Sequence, residues 1–269
     1  MKTRCISITR TLKVTSTSQQ HSVILNMHPY QFKNQKLIRE LSGEFLGTFL
    51  LLLVGISANI QSTCSQSPEI SRQIAWGLGF MFSVFIASKT GHLNPSISVA
   101  QWVLGNLKTF KLPLFIFAQT IGAFTGAALA YGGHYDDIQR LKNQSDNVLN
   151  LFVTFSSPGT PQIISFLYEI IGTSVLSGAV CIITDKTHQI PKFLVPVLSG
   201  LLISMLTMSF GACAINPARD FAPRMFCYLL GYQEVFSVDN GYFWIPITGP
   251  VFGAVIGAWI YKVFIGIHR

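Results

Sequence analysis

Two stretches decide the fold of this chain: KTGHLNPSISVAQW at residues 89–102 and GACAINPARDFAPRMF at residues 211–226. Each places an Asn-Pro pair in a region apolar enough to be buried, although Asn-Pro usually marks a surface turn. Asn is a preferred N-cap and Pro a preferred first helical residue, so each pair predicts a helix start. The helices would run from Asn94 to about Asn106 and from Asn216 to about Leu230. At about 1.5 Å per residue they reach only about 20 Å, so they are half-helices that cannot span a bilayer.

The composition predicts a membrane protein. Of 269 residues, 49% are hydrophobic and only 11% are charged, whereas about a quarter of a soluble domain is charged. A bilayer core of about 30 Å requires helices of about 20 apolar residues, and the continuous apolar runs argue against a β-barrel. Six membrane-spanning helices are predicted, at residues 41–60, 71–88, 112–133, 163–184, 193–210 and 243–265.

The net charge of +8 could indicate a nucleic-acid partner, but the basic residues cluster in segments that six spans place on one face of the membrane. The positive-inside rule makes that face cytoplasmic, so both termini are expected there and no nucleic acid is expected to bind. Residues 1–36 are polar and lack a signal-peptide pattern, which predicts a disordered basic cytoplasmic tail. The five cysteines have no paired spacing, so neither a disulfide framework nor a metal site is expected.

Residues 37–266 are predicted to form one domain of two repeats. GEFLGTFLLL from Gly43 is similar to YEIIGTSVLS from Tyr168, which aligns Glu44 with Glu169, and the two Asn-Pro pairs follow at similar distances. Because three spans is an odd number, the second repeat, residues 163–266, is inverted relative to the first, residues 37–133. Residues 134–162 form the outer loop between them.

Inverted symmetry brings the two half-helix starts together near the bilayer centre, with both positive dipole ends facing one point. The segments before them, residues 90–93 and 211–215, must be non-helical, which is tolerated at membrane depth only where backbone lines a wet cavity. Each capping Asn still has an amide donor to offer a solute, so these features predict a pore. Small residues four apart are expected to allow close packing between the halves: Gly122 with Gly126, and Gly253 with Gly257.

Paired Asn-Pro half-helix starts in inverted three-span repeats, each opened by a Glu, resemble the major intrinsic protein family of aquaporins and aquaglyceroporins. The motifs are Asn94-Pro95-Ser96 and Asn216-Pro217-Ala218, and Ser96 stands where the family mostly has Ala. The resemblance implies an all-α fold of six transmembrane helices and two re-entrant half-helices, usually a homotetramer with one pore per subunit. It also implies a passive channel of the plasma membrane that is not an enzyme and needs no cofactor.

Arg219 is a fixed cation three residues into a membrane half-helix, which is costly and indicates a function rather than a solvated charge. In the family the matching Arg forms a constriction that repels cations and disrupts proton conduction. The resemblance places Trp76 on the opposite wall, although a packed core Trp is the simpler interpretation. It gives Thr207 and Cys213 as the other two filter positions. A cysteine at the offset of Cys213 is the mercury-sensitive site of several water channels, whereas a buried free cysteine is most often inert.

Asp220 favours a channel for water and glycerol, because water-selective members usually have a small residue there. It lies four residues before Arg224, so an i,i+4 ion pair also explains it, and both interpretations can hold. Further positions match the glycerol-conducting subgroup: Tyr131, Arg224, Pro246 and Ile247. The small Cys213 instead favours a water-selective pore, which stays open as an alternative.

Glu44 and Glu169 would suggest proton coupling in a transporter, but their symmetric placement favours bracing of the Asn-Pro loops through backbone N–H groups. His92 is expected to hold its loop, with pH sensing as the alternative. Lys89 either guards the cytoplasmic mouth or extends to water. Asn143, Gln144 and Ser145 form a glycosylation sequon in the predicted outer loop.

Two classes other than channels stay open. An ion-coupled carrier would need an unpaired carboxylate at the middle of the membrane, and the sequence offers none that the repeats do not explain. A junctional membrane protein with a vestigial pore would act through its outer loops, and the long outer loop shows no evident adhesive pattern.

Overall fold

The computed structural model describes residues 29–88, 90–143, 148–211 and 213–268, with side chains between residues 35 and 267. Three predictions fall at least partly outside the described residues: the tail before residue 29, Lys89, and Ser145 of the sequon. The chain divides into two compact units, Met1–Glu40 and Leu41–Arg269. The described part of the first unit is the beginning of helix α1, and the candidate pore belongs to the second unit.

The described residues are helical at every predicted span. In chain order the helices are α1 (Pro29–Cys64), α2 (Glu69–Ala87), α3 (Pro95–Val103), α4 (Lys111–Gly133), α5 (Tyr135–Asn143), α6 (Leu149–Phe152), α7 (Gln162–Thr184), α8 (Leu194–Ser209), α9 (Pro217–Leu229), α10 (Val238–Gly241) and α11 (Ile245–Phe264). Single turns of 3-10 helix occupy Lys186–His188, Gln233–Phe236, Tyr242–Trp244 and Gly266–His268.

Five helical stretches are long and apolar enough to cross a membrane: those of α1, α2, α4 and α7, and Gln233–Phe264, which contains α11. The fifth predicted span, residues 193–210, is α8, which has only 16 residues and is about 24 Å long. It is short because the chain leaves the helix after Ser209 and enters the non-helical segment before Asn216.

The predicted disordered tail is too long by eight residues, because α1 begins at Pro29 and residues 29–36 are helical. Pro is favoured at a first helical position. The residues that follow in the sequence, FKNQKLIREL at 32–41, are rich in strong helix formers such as Gln, Lys, Leu and Arg. Local propensity therefore extends the first span toward the N-terminus.

The two half-helices, α3 and α9, begin at the predicted residues. The side-chain oxygen of Asn94 accepts from the Ser96 N–H at 2.9 Å, and that of Asn216 accepts from the Ala218 N–H at 3.0 Å. Pro95 and Pro217 occupy the first helical positions, where their missing N–H groups cost nothing.

The first half-helix ends at Val103, three residues before the predicted end. The cause is Gly105, whose φ of +81° is left-handed. The Gly105 N–H donates to the Trp102 carbonyl and the Asn106 N–H to the Gln101 carbonyl, which is the hydrogen-bond pattern of a Schellman C-cap.

The predicted outer loop, residues 134–162, contains two helices that the sequence did not predict, α5 and α6. Helix α5 has acidic residues in its first turn and basic residues in its last, as the helix dipole favours. Ile138 and Leu141, three residues apart on one face, are buried. The helix forms because burial of that apolar face against the rest of the protein stabilises it.

The two glycine pairs singled out in the sequence pack helices within each repeat, not between the repeats as predicted. A Cβ on Gly122 of α4 would lie 2.3 Å from the Phe45 carbonyl oxygen of α1. A Cβ on Gly257 of α11 would lie 2.0 Å from the Ser174 carbonyl oxygen of α7. Spacing reveals a small helix face, but it does not reveal which helix meets that face.

Each half-helix packs against a span of the other repeat. Helix α3 packs against α11, and α9 packs against α4. Because each half-helix packs against the other repeat, the N-termini of α3 and α9 meet inside the bundle, where they form the candidate pore.

The candidate pore

The two capping asparagines brace each other's approach segment. Asn94 Nδ2 donates to the Ile215 carbonyl at 2.8 Å, and Asn216 Nδ2 donates to the Leu93 carbonyl at 2.8 Å. A side-chain amide carries two hydrogens, and each of these bonds uses one. The side-chain amides that were predicted to face a solute therefore each spend one N–H on a bond within the protein. The other N–H of each amide is not used by these bonds and can be donated to a solute.

Two fully buried glutamates hold the same segments from the opposite side. Glu44 accepts from the backbone N–H groups of His92 at 2.9 Å and Leu93 at 2.7 Å. Glu169 accepts from those of Ala214 at 2.6 Å and Ile215 at 2.9 Å. Both glutamates thus accept hydrogen bonds from the loops before the asparagines, and their role in bracing these loops stays a prediction.

The residue before each Asn has a left-handed backbone: φ is +52° at Leu93 and +48° at Ile215. Such dihedrals are uncommon for bulky residues and costly for a β-branched one. At both positions the N–H donates to a glutamate and the carbonyl accepts from the opposite Asn. These four bonds hold the chain in a conformation that it would otherwise avoid.

His92 takes part in the first of these arrangements. Its ring Nδ1 lies 3.1 Å from the Ser98 hydroxyl. Gln119 Nε2 donates to that hydroxyl at 2.9 Å and to Glu44 at 2.8 Å. The ring is thus part of a polar network beside the loop before Asn94, and its expected role in holding that loop stays a prediction.

A cavity of about 580 Å³ reaches the two asparagines. Its lining includes residues at the protein surface, among them the exposed Glu69, Ser157 and Pro158. The four predicted filter residues all line it: Trp76, Thr207, Cys213 and Arg219. The structure therefore brings together side chains that come from both repeats.

Arg219 lies over the ring of Trp76, and both residues form part of the cavity wall. Its guanidinium carbon is 4.6 Å from the centroid of the Trp76 ring, within the range of a cation–π contact. Its Nη1 donates to the Phe152 carbonyl at 3.0 Å. The cation is thus held between helix α2 and the end of the outer loop.

Thr207 and Cys213 complete this level of the cavity. Thr207 Oγ1 donates within its own helix, toward the carbonyls of Ile203 and Ser204 at 3.0 and 2.9 Å. Cys213 is half-buried, and it also borders a small recess lined by Ser165, Tyr168 and Tyr242. A small side chain at position 213 leaves the cavity wider there than an aromatic ring would.

Asp220 and Arg224 form the predicted ion pair, and both are completely buried. Asp220 also accepts from the N–H and hydroxyl of Thr154 at 2.8 and 2.6 Å. Arg224 donates to the carbonyls of Thr154 and Val235. The pair attaches the outer loop and the chain after α9 to the half-helix.

The positions that match the glycerol-conducting subgroup are not among the described residues that line the cavity. Tyr131 packs in an aromatic cluster, 6.2 Å from Phe152 and 5.6 Å from Phe226 between ring centroids. Pro246 is buried near the start of α11, and Ile247 is half-buried beside it. The aromatic rings on the cavity wall belong to other residues: Trp76, Phe80 and Phe155.

Sequence reasoning missed Asn59 and Thr154, which make hydrogen bonds to Trp76 and Asp220. Asn59 is a polar side chain in an otherwise apolar span, one helical turn after Gly55. A polar residue in such a span often has a function, so Asn59 could have been identified from the sequence. Thr154 gave no signal, because its partners lie 66 and 70 residues away. Asn143 is exposed at the end of α5. Among the described residues, no three His, Cys, Asp or Glu side chains form a metal site.

An all-α bundle with two re-entrant half-helices meeting at a cavity defines an integral membrane protein of the pore-forming class. The profile of the family described as major intrinsic protein matches residues 31–261. The chain belongs to that family, which is one of channels rather than enzymes.

Individual relatives agree with this assignment. Human aquaporin-9 is 36% identical over 249 residues, which cover 87% of this chain and 84% of that protein. The glycerol uptake facilitator protein of Escherichia coli strain K12 is 33% identical over 245 residues, which cover 84% of this chain and 87% of that protein. The X-ray structure of the aquaglyceroporin from Plasmodium falciparum gives a TM-score of 0.77 at 28% identity, covering 86% of this chain and 98% of that one. The predicted fold class is confirmed.

Proposed function

We propose that this chain is a passive transmembrane channel for water, glycerol and similar small neutral solutes, and that it excludes ions and protons. The observation that carries the proposal is the cavity whose wall includes Arg219 and Trp76 and which reaches Asn94 and Asn216. Relatives named as a glycerol uptake facilitator and an aquaglyceroporin support the solute class.

The cavity wall suits a polyol. Glycerol carries hydroxyls along one edge of an apolar carbon chain. The ring of Trp76 offers an apolar face to the carbon edge, while the guanidinium of Arg219 and the amides of Asn94 and Asn216 offer donors to the hydroxyls. A short neutral solute can thus exchange its hydration for contacts on both sides.

Cations meet a different environment. Arg219 carries a fixed positive charge, and the N-termini of α3 and α9 add the positive ends of two helix dipoles. The buried carboxylates of Glu44 and Glu169 are engaged by backbone N–H groups, so they do not offer a binding site to a passing cation. This arrangement supports the exclusion of ions and protons.

Three alternatives differ in what they require. A water-selective pore is favoured by the small Cys213, although Trp76 keeps the opposite wall apolar. An ion-coupled carrier would need a titrating carboxylate in the pathway, and Glu44 and Glu169 serve as braces instead. A junctional protein would need an adhesive outer loop, whereas residues 150, 151 and 153–158 of that loop line the cavity.

We expect glycerol to permeate proteoliposomes well above the lipid background, together with fast water flux. Stopped-flow light scattering measures both in the same vesicles: an impermeant osmolyte gives the water rate, and hyperosmotic glycerol gives shrinkage followed by reswelling. Reswelling at the rate of empty liposomes, despite fast water flux, would replace this proposal with the water-selective pore. Saturating transport that follows a proton gradient would indicate the carrier.

The assembly and location form part of the same proposal. Large apolar side chains are exposed on several membrane-length helices, including Phe82, Phe117 and Phe252. Such surfaces suit lipid chains and further copies of this chain, which supports a homotetramer in the plasma membrane. The placement of the basic residues supports cytoplasmic termini and an outer position for Asn143. Native mass spectrometry, and enzymatic deglycosylation of protein from eukaryotic cells, test the tetramer and the sequon.

A mercurial reagent is expected to lower the water and glycerol flux by binding Cys213, and a thiol reductant should restore both. Cys213 lies on the cavity wall at the level of Arg219, so a metal bonded to its sulfur would obstruct the pathway. Stopped-flow measurement before and after treatment, with flux normalised to membrane protein, tests this.

The matched control is Cys213→Ser, which removes the thiol with little change in size. Cys64 is exposed at the end of α1, and Cys181 and Cys227 are buried; none of these three is among the described residues that line the cavity. If Cys213→Ser is blocked as fully as the parent, Cys213 is not the blocking site.

A further inference from the structure

Helix α1 carries an asparagine, Asn59, as the next-to-last residue of the apolar run LLLLVGISANI at residues 50–60. A buried polar side chain is costly unless it has hydrogen-bond partners. Asn59 is only 9% exposed, and it lines the cavity. The pore described above assigns it no function.

Both ends of the Asn59 amide are engaged by groups around the filter. Its Oδ1 accepts from the indole Nε1 of Trp76 at 3.1 Å, and its Nδ2 donates to the Leu151 carbonyl at 2.9 Å. The side chain therefore connects α1 to the aromatic wall on α2 and to the end of the outer loop.

Gly55, one helical turn before Asn59, provides the space for the same ring. A Cβ at Gly55 would lie 2.4 Å from the Trp76 ring, so the indole packs directly against the α1 backbone. Gly55 fixes how deeply the ring sits, and Asn59 fixes its rotation. Arg219 then lies 4.6 Å from the ring centroid on the cavity side.

The hydrogen bonds decide what Trp76 presents to a solute. The indole N–H is the only polar group of a tryptophan side chain, and it is a donor only. Because Asn59 accepts that donor, the cavity side of Trp76 offers an apolar surface. The Leu151 carbonyl is likewise occupied by Asn59.

We propose that Asn59 is a positioning residue of the filter, which keeps Trp76 as an apolar wall and thereby favours solutes with a carbon edge, such as glycerol, over water. The inference rests on the proposed channel function and adds a determinant of its selectivity. Without Asn59, the indole N–H and the Leu151 carbonyl would bind water along the wall that the carbon chain needs.

The test is a double-mutant cycle on the ratio of glycerol to water permeability, measured by stopped flow in proteoliposomes. Asn59→Leu keeps the approximate volume but leaves two polar groups unpaired, so we expect the ratio to fall about five-fold. Trp76→Phe removes the indole N–H. The double variant no longer has the indole N–H and leaves only the Leu151 carbonyl unpaired, so its ratio should recover to a value between that of Asn59→Leu and that of the wild type.

A second measurement does not depend on flux. In a background where Trp102, Trp244 and Trp259 are replaced by Phe, ultraviolet resonance Raman spectra report the hydrogen bond of the Trp76 indole directly. Asn59→Leu should weaken that bond. Asn59→Ala removes the same two bonds without adding bulk, and it serves as the test variant if Leu prevents folding.

The outcomes separate this inference from the proposed function. If the wild type conducts glycerol but folded Asn59→Leu and Asn59→Ala keep its ratio, Asn59 does not set selectivity and the channel function stands. If the double variant falls as far as the single ones, Asn59 acts through general packing rather than through Trp76, and the inference is overturned. A wild type that conducts no glycerol would overturn both.

Discussion

Arg219→Ala is expected to let small cations and protons leak through the protein while water flux persists. Arg219 lies beside the cavity, 4.6 Å from the ring of Trp76, so a permeating cation must pass close to its charge. At about 4 Å, two unit charges repel by about 1 kcal/mol in water and about 4 kcal/mol at an effective dielectric constant of about 20. The leak should therefore rise between about five-fold and a thousand-fold. A pH-sensitive dye in proteoliposomes, under a fixed potassium diffusion potential, measures it.

Arg219→Lys is the matched control, because it keeps the charge and loses the planar fork that donates to the Phe152 carbonyl. It should preserve cation exclusion while changing the ratio of glycerol to water. Thermal unfolding of both purified variants shows whether the fold is retained. An unchanged leak in folded Arg219→Ala would assign exclusion to the helix dipoles of α3 and α9 alone.

The half-helices were predictable because the signals that start them are local. An Asn cap and a following Pro act within three residues, and their effect does not depend on what the helix packs against. The end of α3 was placed wrongly because Gly105 offers a C-cap that the length argument ignored. The start of α1 was placed wrongly because the polar composition of residues 29–36 hid their helix propensity.

The remaining errors in the fold concern partners that are distant in the sequence. Helix α5 forms around the buried side chains of Ile138 and Leu141, and a segment with a low mean hydropathy gave no sign of that burial. Gly122 and Gly257 were identified as packing residues but assigned to the wrong interface. Spacing along one helix defines a face, whereas topology decides which helix meets it.

In the candidate site, too, some residues could be predicted from the sequence and others could not. Trp76, Thr207, Cys213 and Arg219 line one cavity as predicted from the resemblance, and their roles in selectivity stay predictions. The side chains that orient them were not predicted, because Asn59 lies 92 residues from Leu151 and Asp220 lies 66 residues from Thr154. Hydrogen bonds over such distances have no periodic signature in a single sequence.

Glu169→Ala is expected to destabilise the protein severely. The substitution leaves the N–H groups of Ala214 and Ile215 without their carboxylate acceptor, and each buried unpaired group costs about 1–3 kcal/mol. It also removes one of the two bonds that hold Ile215 at a φ of +48°, so strain of about 1–3 kcal/mol would no longer be opposed. The expected loss is about 2–6 kcal/mol in the free energy of unfolding. Thermal unfolding in detergent, followed by intrinsic fluorescence, measures the change.

Glu169→Gln distinguishes bracing from proton coupling. An amide offers one oxygen acceptor where the carboxylate offers two, so one of the two N–H groups loses its partner and the stability should fall to a value between those of Glu169→Ala and the wild type. If Glu169 is a brace, folded Glu169→Gln protein conducts water and glycerol at a rate that does not depend on the pH gradient. If Glu169 carries a transported proton, the Gln variant stays stable and loses transport. Wild-type stability combined with lost, gradient-dependent transport would therefore contradict the channel and support the carrier, because a brace cannot lose its acceptor without weakening the loop before Asn216.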